Sequence, residues 1–452
     1  MKWAASQLPI LNQETTMRHI TSSSPNQHRH MNDSVSRRDV IQAGAVLAVA
    51  SSFSFGFAGS PAAAAAIAPF EVSVPQVALD DLRRRLDTVR WPEPETEQGW
   101  SQGVPLDRLQ RLVEYWRTAY DWRRFEAQIN AFPQFRTDID GLGFHFLHVR
   151  SRHEGALPII LTHGWPGSVI EFLKVIGPLT DPTAHGGRAE DAFHVVIPSL
   201  PGYGFSDKPS APGWDAGRIA RAWAELMRVL GYTHWVAQGG DWGAVVTNML
   251  ALQKPPGLAA IHLNLPLATP TNLQMEEATA AEREAIAALQ MFVTDGRGYY
   301  QIQSTRPQTL GYALADSPAG LAAWIYEKFQ AWTDNSGDPA SALTRDEMLD
   351  DITLYWLTNT AVSSARLYRE NARIGMNQGV VDFPVGISIF PGEIFRTPRS
   401  WADKFYPNII HWNELDKGGH FAAFEQPVLF TQELRDCFRG LRDAYRIDPD
   451  DR

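Results

Sequence analysis

The chain has 452 residues, 41 Lys and Arg against 51 Asp and Glu, and a formal net charge of −10. That balance excludes a nucleic-acid binder, whose phosphate affinity comes from clustered Lys and Arg. With 44% hydrophobic residues and 15 tryptophans, the chain has the means to bury a large core, which excludes a disordered scaffold; 20% charged residues exclude a polytopic membrane protein. Cys437 is the lone cysteine, which excludes an intramolecular disulfide framework and a CxxC metal or redox site. At about 150 residues per domain the length fits two to three domains, or one large α/β unit with additions.

Residues 1–66 read as an export segment. Ser36-Arg37-Arg38-Asp39 places a twin arginine before a stretch without charge from Val40 to Phe70. Gly44, Gly56, Gly59 and Pro61 interrupt that stretch, and a stable membrane span wants roughly 20 apolar residues with fewer breaks. Ala62 to Ala66 supply small-residue cleavage sites. The segment resembles a twin-arginine (Tat) signal peptide. The resemblance implies a periplasmic or extracellular protein, or a cytoplasmic one if the signal is not used, with no stable membrane span. Met31 is a candidate true start, and the mature chain is expected to begin between Ala66 and Phe70.

A first unit is expected over residues 69–150. Val77 to Leu86 carries apolar residues at helical spacing, Leu106 to Tyr120 is a second amphipathic helix, and Asp121-Trp122-Arg123 opens a third that runs to Asn130. Ile139-Asp140-Gly141-Leu142-Gly143 then turns into an alternating strand, Phe144 to Val149. From residue 151 short apolar runs take over. Pro158–Thr162, Phe193–Pro198, His234–Gln238 and Ala260–Asn264 read as buried parallel strands, with helices such as Arg218–Leu230 and Ala244–Leu252 between them. That alternation predicts an α/β sheet covered on both faces. Its first part spans 151–265, a helical insertion spans 266–380, and Val385–Phe390 resumes the sheet in a second part, 381–445.

Gly239-Gly240-Asp241-Trp242-Gly243 follows the third of these strands. Small residues around a strand-to-helix turn form a nucleophile elbow that lifts its central side chain clear of the sheet. Here that side chain is a carboxylate, which attacks a saturated carbon to give an ester. His163-Gly164-Trp165-Pro166 follows the first strand, in the loop that supplies one oxyanion-hole N–H, while the residue after the nucleophile supplies another. Trp165 and Trp242 are the expected donors, and a cis Trp165–Pro166 bond fits the turn. His420, in Gly418-Gly419-His420-Phe421, stands where the chain order nucleophile, acid, histidine puts the base. Glu393 directly follows a strand and is the first choice of acid. Asp403, Glu414 and Asp416 compete, though none ends so clear a strand. Tyr299, Tyr300 and Tyr368 lie in the insertion, and a phenol stays protonated near neutral pH and can donate to an epoxide oxygen.

Taken together, these motifs resemble the microsomal-type epoxide hydrolase family, an α/β-hydrolase fold with a helical cap and an N-terminal epoxide hydrolase domain. Arg90-Trp91-Pro92, Tyr120-Asp121-Trp122-Arg123, Phe132-Pro133-Gln134-Phe135 and Pro201-Gly202-Tyr203-Gly204-Phe205-Ser206 carry the likeness alongside the elbow and histidine motifs. The resemblance implies Asp241 as nucleophile, His420 as base, Glu393 as its acid, and Tyr299 and Tyr368 as ring-opening phenols. Tyr300 stands next to that register. His163, Pro166 and Tyr300 are expected along the substrate pocket. It further implies a lipophilic epoxide as the small-molecule partner, a vicinal diol as product, and neither metal nor organic cofactor. The oligomeric state is left open, a homodimer included. A haloalkane dehalogenase shares an Asp nucleophile followed by Trp, and a non-catalytic binding protein on the same fold is the third reading. The two cap tyrosines oppose the first, and the complete residue set opposes the second.

Overall fold

The computed structural model describes residues 66–270, 276–372 and 379–442. The twin-arginine motif, and all of the expected export segment up to residue 65, lie outside the described residues. In chain order, β1 (Ala68–Phe70), α1 (Gln76–Asp87), α2 (Leu106–Thr118), α3 (Trp122–Asn130), β2 (Gln134–Ile139) and β3 (Leu142–Val149) form the N-terminal part. Then come β4 (Leu157–Thr162), α4 (Leu173–Thr180), β5 (Phe193–Pro198), α5 (Ala216–Val229), β6 (Trp235–Gly239), α6 (Trp242–Gln253) and β7 (Leu258–Leu263).

Six longer helices follow before the sheet resumes: α7 (Ala280–Met291), α8 (Gly298–Thr305), α9 (Pro307–Asp316), α10 (Pro318–Trp332), α11 (Arg345–Thr358) and α12 (Ala361–Asn371). The chain closes with β8 (Val385–Ile389), α13 (Arg399–Phe405), β9 (Ile409–Glu414), α14 (Ala422–Glu425) and α15 (Pro427–Phe438).

Among the described residues, nine strands join one sheet in the order β1-β2-β3-β5-β4-β6-β7-β8-β9. Pairing is antiparallel from β1 to β5 and parallel from β5 through β4 to β9. Every residue of β4 is buried, as a central strand covered on both faces requires, so Leu-Pro-Ile-Ile-Leu-Thr need not alternate. Helix α5 packs on α6, and α15 packs on α4. A mostly parallel sheet interrupted after β7 by helices is the α/β-hydrolase fold. No helix among the described residues is long and apolar enough to cross a membrane.

Local chemistry sets the helix ends. The Asp121 carboxylate accepts the Arg123 N–H at the start of α3. Thr279 with Glu282, and Thr344 with Glu347, form reciprocal capping boxes on α7 and α11. The N-terminal helices brace the inserted ones. Tyr120 Oη donates to Asp350 Oδ1 at 2.8 Å, where Arg124 also pairs, and Tyr115 Oη donates to Asp346 Oδ1 at 2.9 Å. Arg85 reaches the Asp316 carbonyl at 2.8 Å.

The strands expected from sequence are all present, with ends shifted by at most two residues: Ala260–Asn264 becomes Leu258–Leu263, and His234–Gln238 becomes Trp235–Gly239. The second helix stops at Thr118, two residues short of the expected Tyr120.

Candidate active site

The turn between β6 and α6 places Asp241 at φ 50°, ψ −128°, a left-handed conformation that non-glycine residues rarely adopt and that stores strain. Its neighbours must be small. A Cβ on Gly239 would lie 2.1 Å from the Gly243 carbonyl oxygen, and one on Gly243 would lie 1.9 Å from the Thr162 carbonyl oxygen. Gly164 is required for a different reason: its Cβ would fall 2.1 Å from Asp241 Oδ1. The elbow and the loop after β4 therefore close on each other through glycine.

Trp165 donates its backbone N–H to Asp241 Oδ1 at 2.8 Å. Trp242 opens α6, so its N–H is among the first-turn donors that a helix leaves unpaired. The Trp165–Pro166 peptide is cis. On the other carboxylate oxygen, His420 Nε2 stands 3.4 Å from Asp241 Oδ2. His420 Nδ1–H donates to Glu393 Oε1 at 2.6 Å, since a carboxylate only accepts. Of the four acids considered, Glu393 is the one beside His420; Asp403, Glu414 and Asp416 are exposed. Burial pulls the His420 imidazolium down, but the Glu393 charge and the bonds to Asp241 and Glu393 outweigh it and hold its pKa well above the usual value.

The cap brings Tyr299 on α8 and Tyr368 on α12 over this group, because α12 packs on α8. Their rings are 5.9 Å apart. Tyr368 also meets the Trp242 ring edge-to-face at 4.9 Å. Burial first pushes both phenols well above their usual pKa. The Asp241 charge adds to this for each of them, and for Tyr368 the facing Tyr299 does too. Both therefore remain proton donors. Tyr300, next in the chain, is less buried and packs its ring against Tyr368 at 5.3 Å.

His163 differs from its expected pocket role. Its Nδ1–H donates to the Gly164 carbonyl at 3.0 Å and its Nε2 accepts the Leu200 N–H at 3.2 Å. Burial lowers its pKa to about 4, so it is a neutral brace of the loop with no ring nitrogen left for a substrate. Pro166 is buried and shapes the same loop.

Three residues near the site were not singled out from sequence. Trp332 packs its ring 5.2 Å from both His420 and Tyr299, and its carbonyl accepts the His420 N–H at 2.8 Å. Glu425 accepts the backbone N–H groups of Asp334, Gly419 and Phe421, tying the histidine loop to the end of the cap. Glu171 lines a cavity with Asp241 and His420. Glu425 stands five residues after His420. Glu171 follows Ser168 at the spacing of an ordinary helix cap, and neither spacing announces a place at the site.

The fold and this convergence define an α/β hydrolase, an enzyme class whose chemistry is set by the elbow residue. Residues 67–172 match the family described as Epoxide hydrolase N terminus, and residues 158–314 match the alpha/beta hydrolase fold. A Stigmatella aurantiaca (strain DW4/3-1) protein carrying an epoxide hydrolase name is 67% identical over 376 residues, which cover 83% of this chain and 86% of that one. Epoxide hydrolase 1 of Sus scrofa is 37% identical over 422 residues, covering 86% and 92%. The solved Aspergillus niger epoxide hydrolase superposes with a TM-score of 0.75 at 35% identity, covering 84% and 97%. The chain belongs to the epoxide hydrolase family.

Proposed function

We propose that this enzyme opens lipophilic epoxides through a covalent ester on Asp241. Tyr299 and Tyr368 hold the epoxide oxygen while an Asp241 oxygen attacks a ring carbon. A phenol proton passes to the opening oxygen, and a hydroxyalkyl ester remains. His420, oriented by Glu393, then takes a proton from water, whose oxygen adds to the ester carbonyl. The N–H groups of Trp165 and Trp242 stabilise the resulting oxyanion. The aromatic surroundings of the site, from Trp165, Trp242 and Trp332, suit an apolar substrate.

The observation that carries this reading is the pair of contacts on His420: Glu393 at 2.6 Å on one nitrogen, Asp241 at 3.4 Å on the other. It also explains the order of the steps. While Asp241 is charged it favours the protonated imidazole. Esterification removes that charge, so His420 shifts toward the base form when a base is needed.

Trapping tests it. His420→Gln should accumulate the ester, with the protein heavier by the mass of one epoxide and the added mass on the peptide bearing Asp241. Asp241→Asn should form no adduct. Adduct on any other residue refutes the assignment. The twin arginine at Arg37 and Arg38 further supports a proposal of Tat-dependent export. Replacing both with Lys should retain the protein inside the cell, and unchanged fractionation would overturn that part.

A further inference from the structure

Beside the nucleophile lies a small, partly enclosed cavity to which the residues assigned above give no role. Its walls include Asp241, His420, Glu171, Gln238 and Thr162. The room it offers to the centre of a water is about 10 Å³, the scale of a single molecule, and a water so held needs two to four polar partners. Gln238 and Thr162 are fully buried, yet Gln238 Oε1 and Thr162 Oγ1 have no hydrogen-bond partner. Buried polar atoms are nearly always paired; β4 and β6 pair Leu161 with Gln238 and Thr162 with Gly239, so the Thr162 side chain faces the other side of the sheet and the Gln238 oxygen is the one that marks a place for a small polar ligand on this wall.

Glu171 is the charged-class side chain on that wall apart from Asp241 and His420. Its side chain is half-buried and lines the cavity. Its carboxyl lies against the loop after β4: a Cβ on Gly167 would be 1.4 Å from Glu171 Oε1. Gly167 therefore fixes where the carboxyl sits. Burial, followed by the nearby Asp351, pushes its pKa well above the usual carboxylate range, and His420 pulls against this. His420 is thus within electrostatic reach of it.

We propose that Glu171 is a positioning residue for the hydrolytic water, holding it in this cavity between His420 Nε2 and the carbonyl carbon of the Asp241 ester. The inference rests on the ester reading. The water gives one proton to Nε2, and its oxygen bonds to Asp241 Cγ. The bond from Cγ to the substrate oxygen then breaks, and the released alkoxide takes the proton back from His420 to complete the diol. The water oxygen stays in Asp241, and the second water hydrogen passes from it to the phenolate left by ring opening, so that carboxylate and phenol are both restored. Glu171 exchanges no atom. Its carboxyl accepts a hydrogen bond from the second water O–H, and the Gln238 oxygen completes the shell.

Glu171→Leu and wild type are compared in single turnovers of styrene oxide with enzyme in excess, following ester formation and decay by quenching and intact mass. The variant should form ester at the wild-type rate and lose it about tenfold more slowly or worse, the scale of one lost buried hydrogen-bond partner. Wild-type decay overturns the role of Glu171 and leaves the ester standing. Equal slowing of both steps also overturns it, because it signals a general structural role. If neither wild type nor His420→Gln forms ester, the ester reading falls, and this inference falls with it. Should Glu171→Leu fail to fold, Gln238→Met decides. Slower decay with unchanged formation supports the cavity as the water site, and unchanged decay overturns it.

Discussion

Trp165 and Tyr299 lie parallel, with ring centroids 5.1 Å apart and planes 10° apart. One belongs to the core loop after β4 and the other to cap helix α8. The same Trp165 gives its N–H to Asp241, so a single residue sets the position of a cap phenol against the core carboxylate. Aromatic pairs of this kind contribute about 0.5–1.5 kcal/mol beyond their buried area. Trp165→Leu keeps the N–H and loses the stack. Ester formation should slow about tenfold, the effect of misplacing a reacting group by a fraction of an ångström, while ester decay stays near wild type. Rapid-quench kinetics resolves the two steps, and equal slowing of both contradicts this role for the stack.

In the proposed mechanism the two phenols act as donors in ring opening and in nothing later. Tyr299→Phe and Tyr368→Phe should each slow ester formation roughly 100-fold, and the double variant should form none. Because burial and the Asp241 charge hold both phenols above their usual range, the wild-type rate of ring opening should show no loss from phenol ionisation up to about pH 9. A basic limb in that step near pH 8 that disappears in either Phe variant contradicts the assignment.

The elbow tolerates no side chain at Gly243. An alanine Cβ there meets the Thr162 carbonyl at 1.9 Å, and that neighbour is backbone that cannot rotate away. Gly243→Ala should lower stability by about 3 kcal/mol or more, read as a fall in the denaturant midpoint or as loss of soluble protein. A variant with wild-type stability shows that the strand and loop yield.

Asp351 couples stability to pH. Burial first, then the Asp350 charge, raises its pKa to about 8 against the bonding effect of Ser168, whose hydroxyl donates at 2.7 Å. The native state thus keeps a proton that the unfolded chain releases near pH 3.8. Its contribution to stability is present below that value and is lost as pH rises through about 8, at up to about 1.4 kcal/mol per pH unit. Asp351→Asn mimics the protonated form and cannot titrate. Urea melts at intervals from about pH 5 to pH 9 should show the variant's stability falling less steeply with pH than wild type. Parallel curves mean that Asp351 does not carry this dependence.

The site was more legible in the sequence than the sheet around it. Gly239, Gly240 and Gly243 announced the elbow because a strained turn excludes side chains, and that exclusion leaves a dense local signature. Chain order then separated His420 from twelve other histidines, and the end of a buried strand pointed to Glu393. The edge strands left no such trace. β1 has three residues, and β9 reads Ile-Ile-His-Trp-Asn-Glu with no buried face, so neither the length nor the periodicity of a strand is there to find. β2, Gln-Phe-Arg-Thr-Asp-Ile, was noticed for its family motif and not as a strand. His163 and Glu171 show the remaining limit. A ring that braces a loop and a carboxyl that lines a cavity differ from pocket and capping residues only in where the tertiary fold aims them.

The most direct test of the central claim is a single turnover of an aryl epoxide in ¹⁸O-water with enzyme in excess. An Asp241 ester delivers an oxygen already in the protein, so the first diol should carry no label and the ¹⁸O should appear in the Asp241 carboxylate. Label in the diol and none in Asp241 means that water attacked the epoxide directly, and the covalent account is then wrong.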